Sequence, residues 1–325
     1  MPPSRASRPL LVIATPVYNE ADTLDRYVQE VERVLFSRAE LDTHVLFVDD
    51  GSSDLSWQII EDLTRRSDRF SGVRLSRNFG AHIALAAAFD NVRDDADIVA
   101  TLACDLQDPP ETILSFVEEW RKGADVVWGK RRTRTEKWLR LKASQTLEGL
   151  VRRYAMPRES KFQTGSFLLI DRVVLQGIRR FRERTRVTFA LVAWAGYRQA
   201  IVPYDRKARI GGRSGWTLGQ MIGTSYDVLI GFSAVPARML TLFGFAMLVA
   251  SVLAVIWLVT DWLVSNVQPG WTGLMTTMFL CFGLLFVMLG VSFEYLFRIL
   301  VESKDRPLYF IAQQIGTASP KLNDG

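Results

Sequence analysis

Residues 10–18, LLVIATPVY, form a continuous apolar run that is rich in β-branched residues and too short for a typical helix. That pattern predicts a buried strand. The next stretch, NEADTLDRYVQEVERVLFSR, carries Leu24, Tyr27, Val28, Val31 and Leu35 at helical spacing on one face. The alternation then repeats. HVLFVDD (44–50) predicts a second strand, followed by the turn GSSD and another helix. GVRLS (72–76) predicts a third strand, and GAHIALAAAFDNV an Ala-rich helix packed closely on a neighbour. DIVATLACD predicts a fourth strand that runs into the acids and prolines of DLQDPPE. Strands alternating with helices through short loops imply an α/β fold, a mostly parallel sheet with helices on both faces. Ligands of such sheets bind beyond the carboxyl ends of the strands. Polar residues gather at those ends: Asn19 and Glu20, Asp49 and Asp50, Arg77 and Asn78, Asp105 and Gln107. That rim is the expected site.

After about residue 235 the pattern changes. Met239–Thr260 and Trp271–Phe293 contain no charged residue. A helix of that length rises roughly 33 Å, enough to cross a hydrocarbon core. A single such run is also compatible with a buried core helix; two in tandem predict a transmembrane hairpin, spanning about 239–260 and 271–295. The loop between them holds no Lys or Arg, whereas Arg238, Arg298, Lys304 and Arg306 flank the spans, so both termini are expected in the cytoplasm. Leu218, Met221, Ile222, Tyr226 and Leu229 share one helical stripe, read as an interfacial helix with a core helix as the alternative. The expected organisation is a catalytic domain over 1–212, an interfacial region over 213–236, the hairpin over 237–298 and a cytoplasmic tail over 299–325. The opening residues show no signal-peptide cleavage pattern. Gly-containing spans also permit self-association into a homo-oligomer.

Charge and chemistry narrow the function. The formal charge of +5 is concentrated in GKRRTR (129–134), RRFRERTR (179–186) and DRKARIGGR (205–213). Beside a membrane such clusters suit anionic headgroups or phosphates better than nucleic acid, with a solvated surface as the plain alternative. Two cysteines, Cys104 and Cys281, suggest neither a disulfide framework nor a zinc site. Neither GxGxxG nor GxxxxGK[ST] occurs, so no phosphate-cradling loop is supported. The rim offers acids and amides instead. Carboxylates accept hydrogen bonds from nucleobase N–H and ribose hydroxyls and ligate divalent cations.

TPVYNE (15–20), VDDGSSD (48–54), SRNFG (76–80) and CDLQDPPE (104–111) together resemble family 2 glycosyltransferases of the GT-A, Rossmann-like fold. VVWGKRRTR (126–134), VPYDRKARIGGRSGW (202–216), GFSAVPARM (231–239) and EYLFRILVESKDRPLY (294–309) narrow the resemblance to the polyprenyl-phosphate sugar transferases. The resemblance implies transfer of one sugar from a nucleoside-diphosphate sugar to a polyprenyl phosphate such as undecaprenyl or dolichyl phosphate. It also implies a membrane location, the inner or plasma membrane in a bacterium. Pro16, Tyr18, Asn19, Glu20, Asp49, Asp50 and Arg77 correspond to positions that hold the donor nucleotide. Asp105 and Gln107 correspond to ligands of Mg²⁺ or Mn²⁺ on the donor diphosphate, with Asp105 also counted among the catalytic residues.

The chain departs from the usual Asp-x-Asp at this point, since Ala103 stands where the first acid is found. Three readings stay open. Asp105 and Gln107 complete the shell with diphosphate and water, metal binding is weaker, or the chain is an inactive nucleotide-sugar-binding protein. A glycosyltransferase with a different acceptor is a further alternative. A lipid phosphate is already an anionic nucleophile, so the acceptor side needs positive charge more than a general base. The resemblance points to Arg131 and Arg134, in a Gly-x-Arg-x-x-Arg pattern, as catalytic and acceptor-binding residues. It also points to a closing loop bearing Arg206, Arg209, Ser214 and Trp216. Arginine's planar fork suits phosphate.

Overall fold

The computed structural model describes residues 6–132, 167–181, 187–207, 270–304 and 306–316, with scattered positions between 149 and 260. It forms two compact units, Met1–Val228 with Pro307–Gly325, and Leu229–Arg306.

The first unit is built on an eight-stranded sheet. Its strands are β1 (Leu10–Val17), β2 (Asp42–Asp49), β3 (Phe70–Leu75), β4 (Ile98–Thr101), β5 (Val126–Arg131), β6 (Leu168–Asp171), β7 (Gln199–Tyr204) and β8 (Ile311–Ile315). The order is β7-β5-β6-β4-β1-β2-β3-β8. Pairings of β1 with β2 and β4, β2 with β3, and β5 with β7 are parallel; those of β6 with β4 and β5, and of β8 with β3, are antiparallel. The sheet is therefore mostly parallel, as the alternating pattern predicts. Six strands, β1 to β5 and β7, deliver their carboxyl ends to one rim.

The helices are α1 (Ala21–Val31, continued by a π-type turn, Glu32–Phe36), α2 (Ser56–Arg66), α3 (Ala81–Asn91), α4 (Glu111–Arg121), α5 (Arg172–Ile178) and α6 (Thr188–Trp194). The expected apolar face of α1 is buried: Leu24, Tyr27, Val28, Val31 and Leu35 are at most 2% exposed. These residues join Leu11, Ile13, Phe47, Ile60 and Phe116 in the core under α1, α2 and α4. On the other face the small side chains Ala84, Ala86, Ala87 and Ala88 bring α3 close to β1 and β2. There Thr188 of α6 donates to the His82 carbonyl at 2.8 Å, and Phe189 packs 4.9 Å from the His82 ring.

Two features depart from the sequence pattern. β4 ends at Thr101, four residues before Asp105, which sits in a turn. The turn includes Leu106, a buried non-glycine residue held at φ 50°. The second departure is β8. Residues 311–315, expected as tail, add an antiparallel edge strand whose Ile315 opposes Gly72.

The described helix of the second unit, α7 (Trp271–Ser303), has 33 residues and carries many exposed apolar side chains, Phe282, Val287, Phe293 and Phe297 among them. Its segment Cys281–Ser303 is long and apolar enough to cross a membrane. The other expected span, 239–260, and the interfacial helix fall largely outside the described residues, so the hairpin is not seen as such.

Candidate active site

The topological switch point lies between β1 and β4, where successive strands stop being added on one side of β1 and start on the other. Ligands of open α/β sheets sit at such a point. Among the described residues, the two non-glycine residues with positive φ flank it: Asn19 (53°) after β1 and Leu106 (50°) after β4. A left-handed leucine is a costly conformation, of the kind retained at functional turns.

On the β1–β2–β3 side the loops are laced together. The Asn19 N–H donates to Ser52 Oγ at 2.9 Å, and Asn19 Oδ1 accepts from the Ser53 N–H at 2.9 Å. Asp54 Oδ2 and Ser56 Oγ accept from the N–H groups of Ala21 and Glu20, at 3.1 and 3.0 Å. Donors at the start of α1 are thereby satisfied from a neighbouring loop. Asp50, 3% exposed, accepts from Phe79 N–H (2.7 Å) and Gly80 N–H (2.9 Å), fixing the loop after β3. Asp49, fully buried, accepts from Ser52 N–H at 3.2 Å and lies 3.3 Å from Arg74 Nε. Burial raises the pKa of both carboxyls, opposed at Asp49 by Ser52 and at Asp50 by the two N–H groups. Gly51, at φ 69°, lets this loop touch the next: an added Cβ would stand 2.5 Å from the Arg77 backbone. Arg77 is exposed and stacks 4.0 Å over Phe79. Tyr18 is about half exposed at the mouth, and Pro16 lies within β1.

Asp105 stands on the other side of the switch point, its Oδ1 accepting from the Gln107 N–H at 3.2 Å. Cys104 packs beneath it in the core, and burial pushes its thiol well up, with Glu20 and Asp105 adding to the shift. A thiol held protonated is a poor metal ligand. Among the described residues no three of His, Cys, Asp and Glu gather as a metal cluster. One carboxylate and one amide oxygen nevertheless fit a hard cation such as Mg²⁺, which takes one or two carboxylates and fills its shell with water and substrate phosphate oxygens.

Further along the rim β5 ends in Arg131 and β7 in Tyr204, paired across the ladder. Arg206 Nε lies 3.5 Å from Asp108 Oδ1. Lys207 N–H donates to the Gln107 carbonyl at 2.8 Å, and Lys207 Nζ lies 3.6 Å from Glu111. The loop after β7 is thus fastened to the Asp105 turn. Arg134, Arg209, Ser214 and Trp216 lie outside the described residues. Of the basic cluster at 179–186, Arg179 is structural: its guanidinium is 8% exposed, donates to the Phe89 and Val92 carbonyls and pairs with Asp94 at 2.7 Å. Sequence reasoning assigned no role to Asp108 or Tyr204, although both sit within stretches that it singled out. An acid before Pro-Pro and a tyrosine closing a strand beside an arginine are the signals available.

Known proteins resemble this chain over nearly its whole length. A glucosyltransferase of Shigella phage SfV, named for bactoprenol, is 31% identical over 307 residues, covering 93% of this chain and 98% of its own. An undecaprenyl-phosphate 4-deoxy-4-formamido-L-arabinose transferase of Edwardsiella ictaluri is 31% identical over 317 residues, 95% of each chain. An uncharacterized glycosyltransferase of Synechocystis sp. is 34% identical over 310 residues, covering 94% of this chain and 96% of its own. Residues 12–179 match the family model described as glycosyl transferase family 2. That match, together with relatives aligned over nearly their whole length, shows that the chain belongs to glycosyl transferase family 2.

Proposed function

We propose that this glycosyltransferase moves a single sugar from a nucleoside diphosphate to polyprenyl phosphate at the cytoplasmic face of a membrane. One observation carries the reading: the rim is acidic and amide-rich around the switch point but arginine-bearing at the ends of β5 and β7. Donor and acceptor thus meet different chemistry on two sides of Asp105. Relatives named for bactoprenol and undecaprenyl phosphate support the acceptor.

In this reading Pro16, Tyr18, Asn19, Glu20, Asp49, Asp50 and Arg77 form the nucleotide side. Asp105 and Gln107 would hold Mg²⁺ or Mn²⁺ with the donor diphosphate. Bound there, the cation would offset charge developing on the leaving nucleoside diphosphate. Asp105, on the turn after β4 beside the switch point, would be the residue nearest the reacting diphosphate in this reading. Arg131 and Arg206, with Arg134, Arg209, Ser214 and Trp216 from the adjoining segments, bind the lipid phosphate and aim one oxygen at the anomeric carbon. That oxygen is already anionic, so no side chain has to remove a proton from it. In-line attack forms the new C–O bond as the bond to the leaving phosphate breaks, and inverts the anomeric centre.

The exposed apolar α7 supports a membrane anchor. The finer layout proposed follows the sequence: a catalytic domain over 1–212, to whose sheet β8 adds an edge strand, an interfacial helix within 213–236, two spans within 237–298, and both termini in the cytoplasm. A homo-oligomer packed through the spans is compatible with that layout. The test is a transfer assay with purified full-length protein in detergent, labelled nucleotide sugars and undecaprenyl phosphate, with Mg²⁺, Mn²⁺ or EDTA. A labelled lipid formed only with metal is expected. Nucleotide binding without product from any donor would favour the inactive-binder reading raised by Ala103.

A further inference from the structure

Asp108 is 7% exposed, sits between Gln107 and Pro109, and has no part in the chemistry described above. Its Oδ1 accepts a 2.5 Å hydrogen bond from Tyr204 Oη and lies 3.5 Å from Arg206 Nε. Tyr204 closes β7 directly opposite Arg131, which closes β5. Arg131 acts on the same phenol electrostatically, opposing the upward push on its pKa from burial and Asp108. Tyr204 thus stands between an acid on the turn after β4, which its hydroxyl bonds, and an arginine beside it at the end of β5. Backbone bonds run alongside: Arg132 N–H to the Tyr204 carbonyl at 2.9 Å, and Lys207 N–H to the Gln107 carbonyl at 2.8 Å.

The ring itself is fixed. Phe167 meets it edge-on at 5.2 Å, and a Cβ added at Gly129 would come within 2.9 Å of both rings. Gly129 is the glycine of the Gly-x-Arg-x-x-Arg pattern, so the pattern carries a packing requirement as well as its arginines. Arg206 pairs with Asp108, while Arg132 and Lys207 pair with Asp205 and Glu111, and Arg131 adds a further positive charge at the end of β5. Tyr204 and Arg206 both lie beyond the family match at 12–179.

We propose that Asp108 and Tyr204 are positioning residues for the acceptor: they hold Arg131 and Arg206 in the orientation that receives a lipid phosphate, and join them to the Asp105–Gln107 turn. Long arginine side chains lose rotamer freedom when they bind. Bracing them during folding lowers that cost at the binding step. The inference rests on the acceptor reading above.

The test is steady-state kinetics of the full chain in detergent, with undecaprenyl phosphate and the donor identified for the wild type. Tyr204→Phe removes one oxygen and keeps the ring. It is expected to raise KM for the lipid about tenfold, equivalent to a single lost hydrogen bond, with donor KM unchanged and a modest fall in melting temperature from the buried Asp108 losing its donor. Asp108→Asn is expected to shift the same parameter, and the double variant to be no worse than the more affected single one, because both act through one linkage. A lower melting temperature with unchanged lipid KM would make the pair merely structural and overturn the proposal. So would additive effects of the two substitutions, or a change confined to donor KM. Lipid product from the wild type with an unshifted Tyr204→Phe sinks this inference alone; no lipid product from the wild type sinks the acceptor reading and this inference with it.

Discussion

Along the β1–β2–β3 half of the rim, each loop is fastened to the next by short bonds between backbone N–H groups and the side chains of Asn19, Ser52, Asp50, Asp54 and Ser56. Along the β4–β5–β7 half, the described cross-links combine two backbone bonds, Lys207 N–H to the Gln107 carbonyl and Arg132 N–H to the Tyr204 carbonyl, with long side chains and one phenol–carboxylate pair. Under the proposed function the difference suits two kinds of ligand. A nucleotide is rigid and rich in donors and acceptors, and a pre-shaped backbone reads it well. A phosphate on a mobile lipid offers one charged group, and reaching arginines suit it better.

Substitutions can break that contrast, starting with the residue between the halves. Asp105→Ala is expected to lower turnover about a thousandfold with little change in melting temperature; near-normal kcat would remove Asp105 from the chemistry. Next, Asp50→Ala leaves the Phe79 and Gly80 N–H groups without their acceptor. A loss of about 3 kcal/mol in unfolding free energy is expected, together with a weaker donor KM. Denaturant titration checks the first and saturation kinetics the second; a change in lipid KM alone would contradict the division of the rim.

Gly129→Ala pushes a methyl group against Tyr204 and Phe167. Overpacking of this kind costs about 2 kcal/mol, and here lipid KM is expected to rise while donor KM holds. The smallest effect is expected from Ile315→Ala on β8, which trims packing against Gly72 and Ile60. A stability loss of about 1 kcal/mol with both KM values unchanged would show that β8 supports the sheet without touching either ligand.

How much of this was legible depended on range along the chain. The buried face of α1, the Ala-rich α3 and the first four strands followed from local periodicity, because each buries a continuous set of neighbours in sequence. Asn19, Asp49 and Asp50 were legible for the same reason, because they close or closely follow their strands, whereas Asp105 stands four residues beyond the end of β4. The insertion of β6 between β4 and β5 was not, since nothing local specifies a partner some 70 residues away. Neither was β8, whose IAQQI is short, half polar and exposed at an edge. Asp108 and Tyr204 meet across 96 residues, and only the parallel pairing of β5 with β7 brings the tyrosine to Arg131. The turn at Leu106 escaped because a leucine gives no warning of a left-handed backbone. It moved the end of β4 from Asp105 back to Thr101.

The central claim is that this rim joins a nucleotide sugar to a lipid phosphate. Its most direct test is incubation of the purified full-length protein with labelled nucleotide sugars and undecaprenyl phosphate, followed by separation of the lipid phase. The account predicts a labelled, mild-acid-labile lipid that depends on added undecaprenyl phosphate and is lost in Asp105→Ala. Label transferred only to water or to a soluble acceptor, with the lipid phase empty for every donor, would contradict it.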